Sequence, residues 1–73
     1  MIDRKQMGDR MSQRRKELEL TLKDVASEIG VAASTIQRYE KGQFENIKMP
    51  VVEAIARALA VSPEWLTGAT ASS

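Results

Sequence analysis

The sequence predicts a single all-α domain built from five short helices around one core. Apolar residues recur every three or four positions along the chain, and β-branched residues never alternate with polar ones over the length of a strand. The chain has 73 residues, which is too few for two separate cores. Its two prolines, Pro50 and Pro63, both stand where a helix can begin.

The first helix is expected over residues 3–18. Arg14 and Arg15 flank its apolar stripe on either side, so at least one of them should lay its aliphatic stem against the core. The apolar positions of this stripe are Met7, Met11 and Leu18.

Two further helices follow and are separated by a single glycine. Thr21 and Asp24 fit a capping box at the start of the second helix, and Gly30 ends it. The third helix is expected over residues 33–41, and Gly42 ends it. The predicted buried positions of this pair are Val25, Ala26, Ile29, Ile36 and Tyr39.

The remaining chain predicts two more helices. A loop over residues 43–49 leads to a fourth helix with Pro50 in its first turn, and Ser62 is expected to cap a short fifth helix. Residues 69–73 are small and polar, so we expect a tail or the stub of a linker there and a domain over residues 1–68. The predicted buried positions of this part are Phe44, Ile47, Val52, Ile55, Ala56, Leu59, Trp65 and Leu66.

The short connection between the second and third helices is typical of a helix-turn-helix motif. Two helices that touch closely need a small residue at the contact, and Ala26 is small. The turn needs a residue that tolerates left-handed backbone, and Gly30 does. The third helix also carries polar side chains on a face that a core would not bury, namely those of Ser34, Gln37, Arg38 and Lys41.

The run LTLKDVASEIGVAASTIQRYEKG, followed by PVVEAIARALAVSPEWL, resembles the five-helix DNA-binding domain of Xre-type regulators and lambdoid phage repressors. The resemblance extends from about Met7 to Leu66. It implies a lambda-repressor-like fold and sequence-specific binding of double-stranded DNA by a transcriptional regulator, most like a prophage repressor. In that family the second helix of the motif lies in the major groove and the first lies across it.

Carried over to this chain, the resemblance places the base contacts on the third helix. Gln37 can bond adenine through two atoms, and Arg38 can bond guanine in the same way. Ser34 is short and could reach either a base or a phosphate. Ala33 stands where the family commonly has a long polar side chain, so its methyl group is limited to contact with a thymine methyl.

The resemblance also implies phosphate contacts around that helix. The family usually has Gln at the position of Leu22, and a leucine side chain cannot bond a phosphate. The backbone N–H groups of Leu22 and Lys23 are therefore expected to make this contact at the helix start. The other expected phosphate contacts are made by basic side chains. The full set of candidates is Arg10, Arg14, Leu22, Lys23, Lys41 and Lys48.

Further expectations come from the resemblance. Arg15 and Glu40 should form an ion pair between the first and third helices. Glu19 stands between the first two helices at a position where the family frequently has Gly. The loop after the third helix is longer than is usual in the family. The partner is expected to be a palindromic operator, bound by a weak homodimer with one recognition helix in each half-site.

The charge distribution leaves two interpretations open. The net charge is +1, but residues 1–16 carry +4 and the rest of the chain carries −3. A basic first helix on an acidic body could lie beside phosphates, or it could be a solvated charged helix.

The composition excludes several classes of site. The chain has no Cys and no His, which removes disulfides, zinc sites, thiol nucleophiles and the usual general base. We therefore expect no enzyme activity, cofactor, metal or small-molecule ligand. No apolar run approaches the roughly 18 residues of a membrane span, and the start is too polar for a signal peptide. A soluble cytoplasmic domain without a membrane partner is expected.

A second function class could use the same fold. An antitoxin-like or other partner-binding regulator would use the helical domain for protein–protein interaction. Such a site would show as an exposed apolar patch, expected around the fifth helix and the tail.

Overall fold

A computed structural model of the chain describes residues 3–68 and forms five helices in that part. The predicted all-α architecture is confirmed, and each helix boundary that was predicted lies within one or two residues of the observed one. The predicted tail, residues 69–73, lies outside the described residues. The helices are α1 (Arg4–Glu17), α2 (Leu22–Ile29), α3 (Ala33–Glu40), α4 (Met49–Ala58) and α5 (Pro63–Thr67).

The helices begin and end where the local sequence satisfies their free backbone groups. The capping box of α2 is complete, because Thr21 Oγ1 accepts the Asp24 N–H and the Asp24 carboxylate accepts the Thr21 N–H. The hydrogen bond from the Thr21 backbone lowers the pKa of the Asp24 carboxyl. Ser62 Oγ likewise accepts the Trp65 N–H at the start of α5, and Gly30 ends α2 with a φ of 81°.

One core joins all five helices. Every apolar position predicted for α2 to α5 is buried or packs against the buried cluster. Leu18 is the exception in α1, because it lies beyond the last helical residue, is half-buried and does not belong to that cluster. The buried side chains are Met7, Met11, Val25, Ala26, Ile36, Ile47, Val52, Ile55, Ala56, Leu59 and Leu66.

Helix α1 packs closely against the C-terminal end of α3 because of Gly8. A Cβ atom at Gly8 would lie 2.5 Å from the carbonyl oxygen of Glu40 and 2.6 Å from that of Tyr39. Real Cβ atoms do not approach backbone oxygens so closely, so the contact requires a residue without a side chain. The sequence analysis did not predict this role for Gly8.

Among residues 3–68, two residues other than glycine adopt left-handed backbone, and both follow a helix. Glu19 has a φ of 59° in the turn between α1 and α2, and Ala60 has a φ of 57° in the turn between α4 and α5. Left-handed backbone costs an L-residue with a side chain roughly 1–2 kcal/mol relative to its right-handed form. The position of Glu19 is therefore one that glycine suits, as the sequence comparison with the family implied.

Within residues 3–68, no helix is both long enough and apolar enough to cross a membrane.

We predict that Gly8→Ala destabilises the fold even though alanine is the better helix former. The gain in helix propensity is about 1 kcal/mol, whereas forcing a methyl group between packed backbones costs about 1–3 kcal/mol and separates α1 from α3. Urea denaturation should give a lower midpoint than that of the wild type. Asp9→Ala on the exposed side of the same turn serves as the control and should change stability by less than about 0.5 kcal/mol. A Gly8→Ala midpoint equal to that of Asp9→Ala would contradict the close contact.

Candidate nucleic-acid interface

The exposed face of α3 is formed by side chains at positions i, i+3, i+4 and i+7. Ile36 is fully buried on the opposite side, and Tyr39 is half-buried and packs against the core. These two anchors fix the rotation of α3 about its axis, so its polar stripe faces away from the protein. The residues of this α3 face are Ser34, Gln37, Arg38 and Lys41, and all four are exposed.

Ala33 does not share that face. It is half-buried and packs against the core, whereas the preceding Ala32 is exposed and caps α3 without a side-chain hydrogen bond. The predicted base contact of Ala33 stays a prediction, and only the part of its methyl group that remains exposed is available for it.

The N-terminal end of α2 offers two backbone donors. The capping box uses the N–H groups of Thr21 and Asp24, but the N–H groups of Leu22 and Lys23 have no acceptor among residues 3–68. The Leu22 side chain packs against the core and the Lys23 side chain is exposed. Free N–H groups at the positive end of a helix can bind a phosphate oxygen. The side chain of Leu22 is therefore not needed for such a contact.

Two exposed lysines stand at the ends of the connection between α3 and α4. Lys41 is the C-terminal cap residue of α3, and Lys48 is the N-terminal cap residue of α4. The chain between them returns to the core at Ile47, which is 8% exposed. The backbone at both lysines is therefore anchored, at Lys41 by the end of α3 and at Lys48 by the buried Ile47 and the start of α4.

The two arginines of α1 that were predicted to contact phosphates have partners inside the chain. Arg10 donates to the carbonyl oxygen of Trp65 at 2.7 Å, and its guanidinium lies 5.6 Å from the centre of the Trp65 ring. Arg14 donates to the carbonyl oxygen of Leu59 at 2.9 Å and forms an ion pair with Glu17 at 3.3 Å. Their phosphate contacts stay a prediction, and only the nitrogen atoms left over from these bonds could make them.

Arg15 and Glu40 form a bidentate ion pair between α1 and α3. Arg15 Nε lies 2.6 Å from one carboxylate oxygen and Nη2 lies 3.1 Å from the other, while Nη1 donates to the Leu20 carbonyl at 2.9 Å. The arginine side chain is 14% exposed and the glutamate side chain is 10% exposed. The hydrogen bond to Glu40 raises the pKa of Arg15 above its usual value. The pair holds the last residue of the α3 helix against α1.

Two residues that the sequence analysis did not assign also position this face. Gly8 allows the contact between α1 and α3, and a glycine in the middle of a helix is a signal that could have identified it. Arg4 donates to the carbonyl oxygen of Phe44 at 2.9 Å, in the connection between α3 and α4. No sequence signal distinguishes Arg4 from other exposed cations of α1.

The partner-binding alternative predicted an exposed apolar patch around α5. Trp65 is half-buried and packs against the core, and Leu66 is fully buried. Among residues 3–68, Met49 is the one large hydrophobic side chain that is exposed, and it is the first residue of α4. The described part of α5 therefore does not form that patch, and the tail lies outside the described residues.

The sequence profile of a helix-turn-helix family matches residues 11–66, which include both helices of the predicted motif. This chain belongs to that family. A comparison with curated proteins gave no match. The described helices α2 and α3 are the two helices of the motif in this member of the family.

Three solved structures show how the fold is used elsewhere. The P22 c2 repressor protein, solved with a synthetic operator, is 28% identical with a TM-score of 0.79, and the match covers 88% of this chain and 96% of that chain. SinR, a master regulator for biofilm formation solved with DNA, is 32% identical with a TM-score of 0.75, covering 82% of this chain and 95% of that one. Hydroxypropylphosphonic acid epoxidase from S. wedmorenis is 22% identical with a TM-score of 0.82. The match covers 88% of this chain but only 34% of the epoxidase, so this likeness is one of fold alone.

We predict that Glu40→Ala lowers the free energy of unfolding by about 3 kcal/mol, because it leaves the Arg15 guanidinium without its carboxylate in a mostly buried place. Chemical denaturation with urea measures the change. Glu17→Ala is the control: it removes the partner of Arg14, but that carboxylate is half-exposed and the pair should be worth less than about 1 kcal/mol. Equal losses in the two variants would show that Glu40 is no more important to the fold than a surface carboxylate.

Proposed function

We propose that this protein is a transcriptional regulator that binds double-stranded DNA in a sequence-specific manner, with α3 in the major groove. The observation that carries the proposal is the exposed polar stripe of α3, which is the second helix of the motif in a member of the helix-turn-helix family. Two proteins of similar fold that are described in complex with DNA, the P22 c2 repressor and SinR, support it.

In this proposal the α3 face reads bases. Gln37 and Arg38 are the long side chains at its centre, and each can bond one purine through two atoms. Gln37 suits adenine, and the fork of donors on Arg38 suits guanine. Ser34 is one turn closer to the start of α3 and contacts a base or a phosphate. Ala33 contributes at most its methyl group.

The C-terminal end of the α3 face, together with its surroundings, holds the DNA backbone. The free N–H groups of Leu22 and Lys23 approach one phosphate, and the ammonium groups of Lys41 and Lys48 approach others. Such contacts give affinity and fix the register of the helix in the groove without reading sequence. Arg10 and Arg14 contribute less in this proposal, since their guanidinium groups already bond main-chain carbonyl oxygens.

More specifically, we propose that the protein is a prophage-type repressor that acts in the cytoplasm on a palindromic operator. Two copies would place one α3 helix in each of two half-sites about one helical turn, or roughly 34 Å, apart. The likeness to the P22 c2 repressor supports this assignment. The dimer is expected to be weak in the absence of DNA.

We predict that binding to duplex DNA weakens steeply as the salt concentration rises, because each cation that neutralises a phosphate contributes about 0.9 to the slope of log K against log salt. A fluorescent duplex titrated at several salt concentrations measures this slope. Lys41→Ala and Lys48→Ala should each reduce it by about 0.9. Arg57→Ala removes a charge at the other end of α4, about 14 Å from Lys48 at a rise of about 1.5 Å per residue, and should leave the slope unchanged. Binding that does not respond to salt would exclude the proposed function.

We predict that Arg38→Ala weakens binding to the preferred operator by about 1–3 kcal/mol and binding to unrelated DNA much less, because a bond to guanine N7 and O6 depends on sequence. The preferred operator comes from selection among random duplexes. Lys41→Ala, on the same helix face, is the matched control and should weaken binding to both DNAs by a similar factor. Equal losses on the two DNAs for Arg38→Ala would assign Arg38 to the backbone instead.

A further inference from the structure

The connection between α3 and α4, residues 41–48, is held in place by the first turn of α1. Gly42 has a φ of 74°, and a Cβ atom there would lie 3.2 Å from the Cα atom of Lys5 and 3.3 Å from the carbonyl oxygen of Arg4. The backbone of the connection therefore passes directly over the start of α1 as soon as it leaves α3.

Arg4 makes a second contact two residues further along. Its Nη1 atom donates to the carbonyl oxygen of Phe44 at 2.9 Å. Among residues 3–68, no other side-chain hydrogen bond links residues 41–48 to another element of the fold. The Phe44 ring packs edge-on against Tyr39, with ring centres 5.7 Å apart, so both the backbone and the side chain of this residue are held.

Beyond Phe44, the chain reaches the core only at Ile47, and the two residues between them are exposed. Without Arg4, the backbone from residue 43 to residue 46 would keep the Phe44 ring contact but lose its hydrogen bond to α1. Lys41 and Lys48 stand at the two ends of the connection that contains this backbone.

We propose that Arg4 is a positioning residue for contact with the DNA backbone. This inference rests on the proposed function and adds to it a residue that does not itself touch DNA. Arg4 holds the connection between α3 and α4 so that the ammonium groups at its two ends, those of Lys41 and Lys48, lie at a fixed spacing beside the groove. Pre-organised cations lose less freedom on binding, so loss of Arg4 lowers affinity without changing which bases are read.

The matched control is Lys5, the neighbouring cation in the same turn of α1. In the part of the chain that the structure describes, its ammonium group pairs with Asp9 alone, at 3.8 Å on an exposed surface, and makes no side-chain bond to the connection. Lys5→Met and Arg4→Met each remove one positive charge from the same place, but only Arg4→Met removes the hydrogen bond to Phe44. A difference between these two variants therefore cannot come from net charge.

The test measures Kd of the full chain for operator and for unrelated duplex, at several salt concentrations. We expect Arg4→Met to raise Kd about three- to tenfold on both DNAs relative to the wild type. The slope of log K against log salt should be the same in Arg4→Met as in Lys5→Met. Arg4→Lys, which keeps a donor of similar length, should restore most of the affinity. Amide hydrogen exchange of Gln43, whose N–H donates to the Arg38 carbonyl where this backbone leaves α3, should be faster in Arg4→Met and unchanged in Lys5→Met.

Three results would overturn the inference. Equal affinity of Arg4→Met and Lys5→Met would leave no role for the hydrogen bond. A salt slope lower by about 0.9 in Arg4→Met alone would make Arg4 a direct phosphate contact. Weaker binding with unchanged exchange of the Gln43 amide would exclude the connection as the cause. If Arg4→Met does not fold, Arg4→Gln is judged by the same criteria. Failure of the wild type to bind either duplex would instead reject the proposed function itself. The three results above concern variants of a protein that does bind, so the two kinds of failure are distinguishable.

Discussion

The contact between α1 and the C-terminal end of α3 determines where the candidate interface lies. The last carbonyl groups of α3 meet the bare backbone of Gly8, and the bidentate pair of Arg15 and Glu40 closes the same contact from the side. An eight-residue helix has little stability of its own, so α3 takes its position from packing. The direction of its exposed face is therefore set by packing against the core, to which α1 contributes although no residue of α1 belongs to that face.

Most of the basic residues of α1 bond acceptors within the protein itself and so help to hold the helices together. Carbonyl groups at helix C-terminal ends lack partners within their own helix and attract cations. Arg14 bonds the carbonyl of Leu59 at the end of α4, and Arg10 bonds that of Trp65 near the end of α5. An excess of positive charge in a sequence segment can thus satisfy the protein's own acceptors, and it does not by itself locate a surface for phosphates.

The candidate interface relies on backbone groups more than on polar side chains at its helix starts. Leu22 opens α2 and Ala32 caps α3, and neither side chain offers a hydrogen bond. The apolar side chain of Leu22 adds to the core while its N–H group stays available. In the proposed function, sequence reading falls to the middle of α3, where the longest exposed side chains are those of Gln37 and Arg38.

Local propensity and the spacing of apolar residues are enough to predict the five helices, the main caps and nearly all of the core. The capping box at Thr21 and the polar stripe of α3 are examples, since each is complete within a few residues of chain. Tertiary structure alone decided that Gly8 lies against α3, that Leu18 leaves the core, and that Arg4 reaches Phe44. These contacts join residues distant in sequence or depend on where a helix ends in space. The arginines of α1 therefore cannot be told apart in the sequence but bond different partners, because the acceptor opposite each one is set only when the helices pack.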